Sequence, residues 1–389
     1  MQKASVKRLF FIAGEPSGDL HASRVISAII ERRPQWAISG FGGVQMQAAG
    51  MELRFNLAAM AVMGVAEVAR HLGTLRRLFG ELRRTLTQER PDALVLVDYP
   101  GFNLRAAAMA RELGIPVYYF ISPQIWAWKK RRIHEIARTV TRMLVILPFE
   151  EPLYRQAGIA CDYVGHPLLD DPMLSSPPPA EERGPVLAIL PGSREQEIRR
   201  IGPVMVETAR RYIARYPDTK VVSAAVNRER AEQIRSIAGD LPLEIRIKDM
   251  ESVLHETRGA LVASGTATLQ TALAGVPMVV VYRMHPLTFL LAASLVRVPH
   301  ISLVNLLAGR EIVPEKIQAG ARPSALLPIL ESIMQPGSAR DRMLQDLQAL
   351  RNQLGGPGAS VRAAEIIIRE VEHGPGKTTG HKGDQGGNA

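Results

Sequence analysis

LPGSREQEI, residues 190–198, follows the apolar run VLAIL with Pro, Gly and Ser, then with Arg194, two acids and residues at helical spacing. Pro191 and Gly192 stop a strand there, and Ser193 is a good N-cap for the helix that follows. Free backbone N–H groups and the positive end of a helix dipole meet at such a turn. It can hold an anion, and Arg194 can add a two-pronged contact to a phosphate. A plain strand-to-helix turn with a surface Arg fits the same residues. LVASGTATLQ (261–270) repeats the design, and two such turns in one domain would cradle a diphosphate from two helix ends. GEPSGD (14–19) is a third tight turn between strand and helix, where Gly14 and Gly18 let backbone approach a ligand. VLVDYPGFNLR (95–105) places Asp98 at the carboxyl end of an apolar strand, a position for a general base. A helix cap or an ion pair to a nearby Arg explains Asp98 equally well.

Other chemistries find less support. The nine histidines show no H-E-x-x-H pair, and G-x-S-x-G and G-x-G-x-x-G are both absent. That argues against zinc hydrolysis, a hydrolase triad, and a nicotinamide or flavin enzyme. The single cysteine, Cys161, excludes an intrachain disulfide and a cysteine-built metal site. The GKT near the C-terminus is no phosphate loop, because Val371 stands where its first Gly would fall. Two further stretches suggest a surface partner. ISPQIWAWKKRRI (121–133) sets Trp126 and Trp128 beside Lys129, Lys130, Arg131 and Arg132, which suits lipid headgroups or phosphates, or an ordinary solvated helix. Residues 58–86 line an apolar stripe with Arg70, Arg76, Arg77, Arg83 and Arg84, fitting an interfacial helix, an acyl-chain groove, or simply a helix packed on a sheet.

These residues need elements to hold them. Short β-rich runs alternate with helical patterns: KRLFFIAG, WAISGFGG, ALVLVDYP, VYYFIS and RMLVILPF, then VLAILPGS, KVVSAAV, EIRIKD, GALVAS and MVVVYR. Nearly continuous apolar strands separated by helices predict parallel sheets covered on both faces. At 389 residues the chain is too long for one ordinary core, and DPMLSSPPPAEERGP (171–185) reads as a linker. The prediction is an α/β protein of two Rossmann-like domains whose strand ends face a ligand cleft between them. The domains span 1–172 and 185–370, with a linker at 173–184, a second-domain end free to pack back on the first, and a disordered tail at 371–389.

Composition agrees with an enzyme: hydrophobic residues make up 46% and charged residues 22%. The net charge of +10 implies an anionic partner, but aromatics at 5% and the lack of a nucleic-acid motif argue against nucleic acid. The basic start MQKASVKR leads into a short apolar run that ends at a Gly/Pro/Ser turn, a first strand rather than a signal peptide. PMVVVYRMHPLTFLLAASLV (277–296) is broken by Arg283, His285 and Pro286 and does not read as one membrane span.

Taken in order, GEPSGDLH, GFGG, MGVAEV, VDYPGFNLR, SPQIWAWKKRRI, VGHPLLD, LPGSREQEI, ASGTATLQ and SLVNLLAGREIVPE resemble the lipid-A-disaccharide synthase family over about residues 10–320. That family is similar to GT-B glycosyltransferases, in which two Rossmann-like domains face a cleft. The resemblance implies an inverting transfer without metal or cofactor. UDP-2,3-diacylglucosamine and 2,3-diacylglucosamine 1-phosphate (lipid X) would give a β-1,6-linked disaccharide 1-phosphate and UDP. It implies Asp98 as the base for the acceptor 6-hydroxyl and Arg194 as the charge that stabilises departing UDP. Ser193, Ser264, Gly265, Thr266 and Thr268 would meet the diphosphate. Gln270, Asn305, Arg310, Glu311 and Glu315 would stand on the donor side, and Glu15, Ser17 and Asp19 on the acceptor side. The chain departs from the family at Gln270, where Glu usually meets the ribose hydroxyls, at Val304, where Pro is usual, and at Pro16.

Both substrates are acylated, so the resemblance implies a cytoplasmic protein held peripherally on the anionic inner face of the inner membrane. A homodimer stays open. Two rival readings remain. A UDP-N-acetylglucosamine 2-epimerase-like isomerase would need no lipid-facing surface, and a basic binding protein without catalysis would leave Asp98 and the paired turns without a use.

Overall fold

The structure of the chain, a computed structural model, describes residues 6–61, 72–126, 132–284 and 299–374. It forms two compact units, residues 1–167 with 358–389, and residues 168–357.

The first unit is built on β1 (Arg8–Ala13), β2 (Ala37–Gly42), β3 (Glu52–Asn56), β4 (Ala93–Val97), β5 (Val117–Phe120), β6 (Arg142–Val145) and β7 (Cys161–Tyr163). All pair in parallel, in the order 3-2-1-4-5-6-7. Side-chain alternation decides the layers. Leu9 and Phe11 of β1, with Val95, Val97, Tyr118 and Phe120, pack with the Pro16–Arg32 and Ala359–His373 helices. Phe10 and Ile12, with Leu94, Leu96 and Tyr119, pack with the Leu72–Gln88 and Pro100–Glu112 helices. Every residue of β4 and β5 is buried, as a sheet covered on both faces requires. The Ala359–His373 helix is tied in by a buried Arg142–Glu370 ion pair (2.6 Å) and by Arg33–Glu372 (2.6 Å). It continues past 371, where a disordered tail was expected; residues 375–389 lie outside the described residues.

The second unit carries β8 (Val186–Leu190), β9 (Lys220–Ala225), β10 (Leu243–Ile247), β11 (Gly259–Ala263), β12 (Met278–Tyr282) and β13 (Glu315–Ile317). They are again all parallel, in the order 10-9-8-11-12-13. The chain passes between units at 167/168 and at 357/358, so segment 173–184, expected as a linker, lies inside the second unit. Asp171 caps the Pro172–Ser175 turn, and the carbonyls of Pro178 and Ala180 accept hydrogen bonds from Arg183 and Arg340. A Pro- and Ser-rich composition signals a lack of regular backbone here rather than a lack of packing.

The two-sheet α/β architecture is the one predicted, and each expected strand is present. The unexpected β3, β7 and β13 are all sheet edges, short, mostly half-exposed and without an apolar run. Strand order reverses between β1 and β4 in one sheet and between β8 and β11 in the other. At such a switch point the adjacent connections diverge to opposite faces and leave a crevice at the carboxyl ends. No helix among the described residues is long and apolar enough to cross a membrane. Of the 277–296 stretch, Met278–Tyr282 is β12, and residues 285–298 lie outside the described residues.

Candidate active site

In the first unit the switch point is flanked by Gly14 and Glu15 after β1 and by Asp98 and Tyr99 after β4, where Ala13 pairs with Val97. Each turn enters its helix through a proline, Pro16 or Pro100, which suits the first helical turn because it lacks only an N–H that would have no partner. This also accounts for Pro16 being tolerated. Gly14 is required by a close approach: a Cβ there would overlap the Tyr99 ring. The Asp98 carboxyl is raised from 3.8 to about 6, first by burial and then by the charge of Glu15, against a lowering hydrogen bond from the Tyr99 backbone. A half-buried carboxylate that titrates near neutrality at a strand end can take a proton. Glu15 and Ser17 are exposed at the same turn.

Asp19 does not join them. It is buried, and its carboxylate accepts from the backbone of Gly43 (2.9 Å), Met46 (3.0 Å) and Gln45 (3.1 Å). It therefore caps the Val44–Ala48 helix instead of lining an acceptor site. A Cβ at Gly43 would collide with this carboxylate, which explains the glycine in GFGG.

In the second unit the switch point lies between the LPGS turn after β8 and the ASGT turn after β11, the two strands being hydrogen-bonded neighbours. Two helices, Glu195–Ile213 and Thr266–Leu273, start there, and neither has a side-chain N-cap bond. Their first N–H groups are the anion-binding elements expected from the sequence. Arg194, not Ser193, occupies the N-cap position; Ser193 is exposed one residue earlier. Gly192 has φ 106°, open to glycine at little cost, and a Cβ there would stand 2.5 Å from Glu197 Oε2. Arg194 is exposed and pairs with Glu197 at 2.9 Å. Gly265 and Thr266 are exposed at the second turn, while the Thr268 hydroxyl is turned back to the Gly265 carbonyl at 2.8 Å. Gln270 donates to Glu251 (3.2 Å), so a carboxylate stands beside the position where the family usually has Glu.

The late motif acts one step behind the turn. Asn305 is fully buried; its amide donates to the Val313 carbonyl and Glu315 (both 2.8 Å) and accepts from Ile312 (2.8 Å) and Val313 (3.0 Å). Glu315 accepts from the backbone of Ile301 and Ser302, both at 2.9 Å, and Ser264 donates to the Ile301 carbonyl at 2.9 Å. Asn305 and Glu315 thus brace the segment that braces Ser264. Arg310 is held in a fork by Asp346 (2.6 and 3.2 Å), and Glu311 accepts from the Glu315 backbone at 3.3 Å. Val304 lies in the first turn of the Leu303–Ala308 helix, where Val and Pro both fit.

Sequence reasoning missed Glu150. It is buried at the ends of β5 and β6 and accepts from Ser122 (2.5 Å), Trp126 (3.2 Å) and the Leu147 backbone (3.2 Å). Its carboxyl is pushed to about 7 by burial, which outweighs these bonds. A buried acid in LPFE carries no spacing signal. Trp126 is therefore anchored, and Trp128, Lys129, Lys130 and Arg131 lie outside the described residues, as does Arg70.

Residues 9–366 match the family model of lipid-A-disaccharide synthetase. The chain belongs to this family. Its similarity runs at 40% identity to the lipid-A-disaccharide synthase of Myxococcus xanthus (strain DK1622), over 94% of this chain and 98% of that one. The enzyme of Syntrophus aciditrophicus (strain SB) is 39% identical over the same shares. Among solved structures, CalG4, the calicheamicin glycosyltransferase, shares the fold with a TM-score of 0.61 at 18% identity, covering 94% of this chain and 98% of its own. A UDP-GlcNAc 2-epimerase from Neisseria meningitidis bound to UDP-GlcNAc shares it with a TM-score of 0.62 at 11%, covering 94% and 99%. The architecture is thus GT-B, and family membership makes this member a glycosyltransferase of lipid A biosynthesis. Epimerases share only the fold, so the isomerase reading is not favoured.

Proposed function

We propose that the enzyme transfers diacylglucosamine from UDP-2,3-diacylglucosamine to the 6-hydroxyl of lipid X, with inversion at the anomeric carbon. The second unit holds UDP: the uncapped N-termini at Glu195 and Thr266 receive the diphosphate, with Ser193 just before the first of them, and Arg194 compensates the charge that develops as UDP departs. Solved relatives in fold that carry UDP or UDP-GlcNAc, from S. aureus and N. meningitidis, support a UDP-sugar donor. In the first unit Asp98 takes the proton of the acceptor hydroxyl as its oxygen attacks the anomeric carbon and the bond to UDP breaks. A single displacement inverts the centre and needs one base. The observation that carries this reading is Asp98 at the switch point, half-buried and titrating at about 6, with Glu15 beside it.

The substrates' acyl chains place the enzyme at a lipid surface. Arg76, Arg77, Arg83 and Arg84 on the Leu72–Gln88 helix support peripheral binding to anionic lipid. Sedimentation with anionic vesicles at low salt, lost at high salt, tests that part. The transfer itself is tested by mass spectrometry of products from the two proposed substrates, with wild type and Asp98→Asn. Disaccharide 1-phosphate from wild type, with a loss of about 10²-fold or more in the variant, is expected. Equal rates would remove Asp98 as base, and no disaccharide from wild type would remove the substrates.

A further inference from the structure

Asp98 and Tyr99 are consecutive non-glycine residues in the left-handed region, with φ 48° and 47°. Asp tolerates that conformation, but an aromatic residue adopts it seldom, and such backbone persists only where its surroundings over-determine it. Two side chains do so here. The Asn103 amide donates to the Asp98 carbonyl at 2.6 Å, and the Tyr119 hydroxyl donates to the same oxygen at 2.6 Å. Asn103 also reaches the carbonyls of Val97 (3.2 Å) and Ile12 (3.5 Å), the ends of the two strands that form the switch point. From the other side, the Asp98 N–H donates to Phe120 at 3.0 Å.

Neither polar group is needed for packing. Both residues are fully buried, Asn103 in the first turns of the Pro100–Glu112 helix and Tyr119 in β5 among apolar neighbours. A Phe would fill the space of Tyr119, and a buried polar atom is retained at a cost unless it serves a partner. Their common partner is the carbonyl of the residue with the reacting carboxylate.

We propose that Asn103 and Tyr119 are positioning residues for Asp98: they grip its backbone carbonyl, fix the left-handed elbow, and so aim its carboxylate at the acceptor hydroxyl. The inference rests on the reading of Asp98 as the base. Neither residue touches substrate; both act through the direction in which Asp98 leaves the chain.

Tyr119→Phe deletes one of the two bonds and keeps the ring, and Asn103→Ala deletes the other. Steady-state transfer between UDP-2,3-diacylglucosamine and lipid X is measured for both, with pH profiles and urea unfolding. For Tyr119→Phe, kcat falls by about tenfold to 10²-fold while KM for each substrate stays within about twofold, as expected for a misaimed group. The acid limb of kcat/KM moves below its wild-type position, because a loosened carboxyl gains water and moves away from Glu15. In an Asp98→Asn background Tyr119→Phe causes no further loss, since the two act as one unit. Wild-type kcat and limb in Tyr119→Phe would overturn the inference, as would an equal loss with and without Asp98. If Asp98→Asn itself keeps full turnover, the base reading falls and takes this one with it. If Asp98→Asn is inactive while Tyr119→Phe is normal, only this inference falls.

Discussion

Replacing Glu150 by Gln removes an ionisable group that is 1% exposed and leaves its shape almost unchanged. The carboxyl rises from 4.5 to about 7 because burial outweighs the bonds it accepts from Ser122, Leu147 and Trp126. At about 1.4 kcal/mol per tenfold change in proton affinity, that difference is worth about 3 kcal/mol. The folded state binds this proton more tightly than the unfolded chain does. Below the unfolded value both states are protonated and nothing is lost. As pH rises toward about 7 the unfolded chain ionises first, so stability falls, and above that it stays lower by about 3 kcal/mol. Gln cannot ionise and escapes the fall. Urea unfolding of wild type and Glu150→Gln, followed from about pH 4 to about pH 8, isolates the effect, because other titrating groups cancel in the difference. The variant's stability relative to wild type should rise by about 3 kcal/mol over that range. A flat difference would show that water reaches the Glu150 carboxyl, and one that moves the other way that the bonds from Ser122, Leu147 and Trp126 outweigh burial; either would refute the reasoning.

Activity should depend on Asp98 in the opposite sense: a base must have lost its proton, so kcat/KM of the wild type should drop about tenfold per pH unit below about 6. Glu15→Gln should move that limb downward, because the Glu15 charge helps to raise Asp98. Glu370→Gln takes one carboxylate away from the buried Arg142, which keeps Asp162 at 2.6 Å, and should cost about 3 kcal/mol by urea unfolding, with faster amide exchange in the Ala359–His373 helix. Pairing Arg142→Met with Glu370→Leu should recover most of that loss, since the two most deeply buried charges are then both gone and Asp162 keeps some access to water. Gly192→Ala forces a side chain onto backbone at φ 106° beside Glu197, and UDP affinity measured by calorimetry should fall by at least about tenfold.

Much of the candidate site was legible as local pattern. The turns at Gly14, Asp98, Gly192 and Ser264 each follow an apolar run and precede helical spacing, and each sits at a strand's carboxyl end in the structure. Donor and acceptor counting was out of reach. Asp19, Asn305 and Glu315 share residue type and turn context with ligand-binding groups, but backbone N–H groups distant in sequence satisfy them. A linker composition likewise hid a packed segment at 173–184, because Arg340 and Arg351 supply donors to its carbonyls from elsewhere in the chain.

Strand and helix order, the parallel class of the sheets and the family followed from the sequence alone, since hydrophobic period and turn residues are properties of neighbouring positions. Tertiary structure decided which turns share a switch point, that the C-terminal helix joins the first unit, and that Asp98 titrates near 6. Strand order, burial and electrostatics depend on residues far apart in the chain, and only folding brings those together.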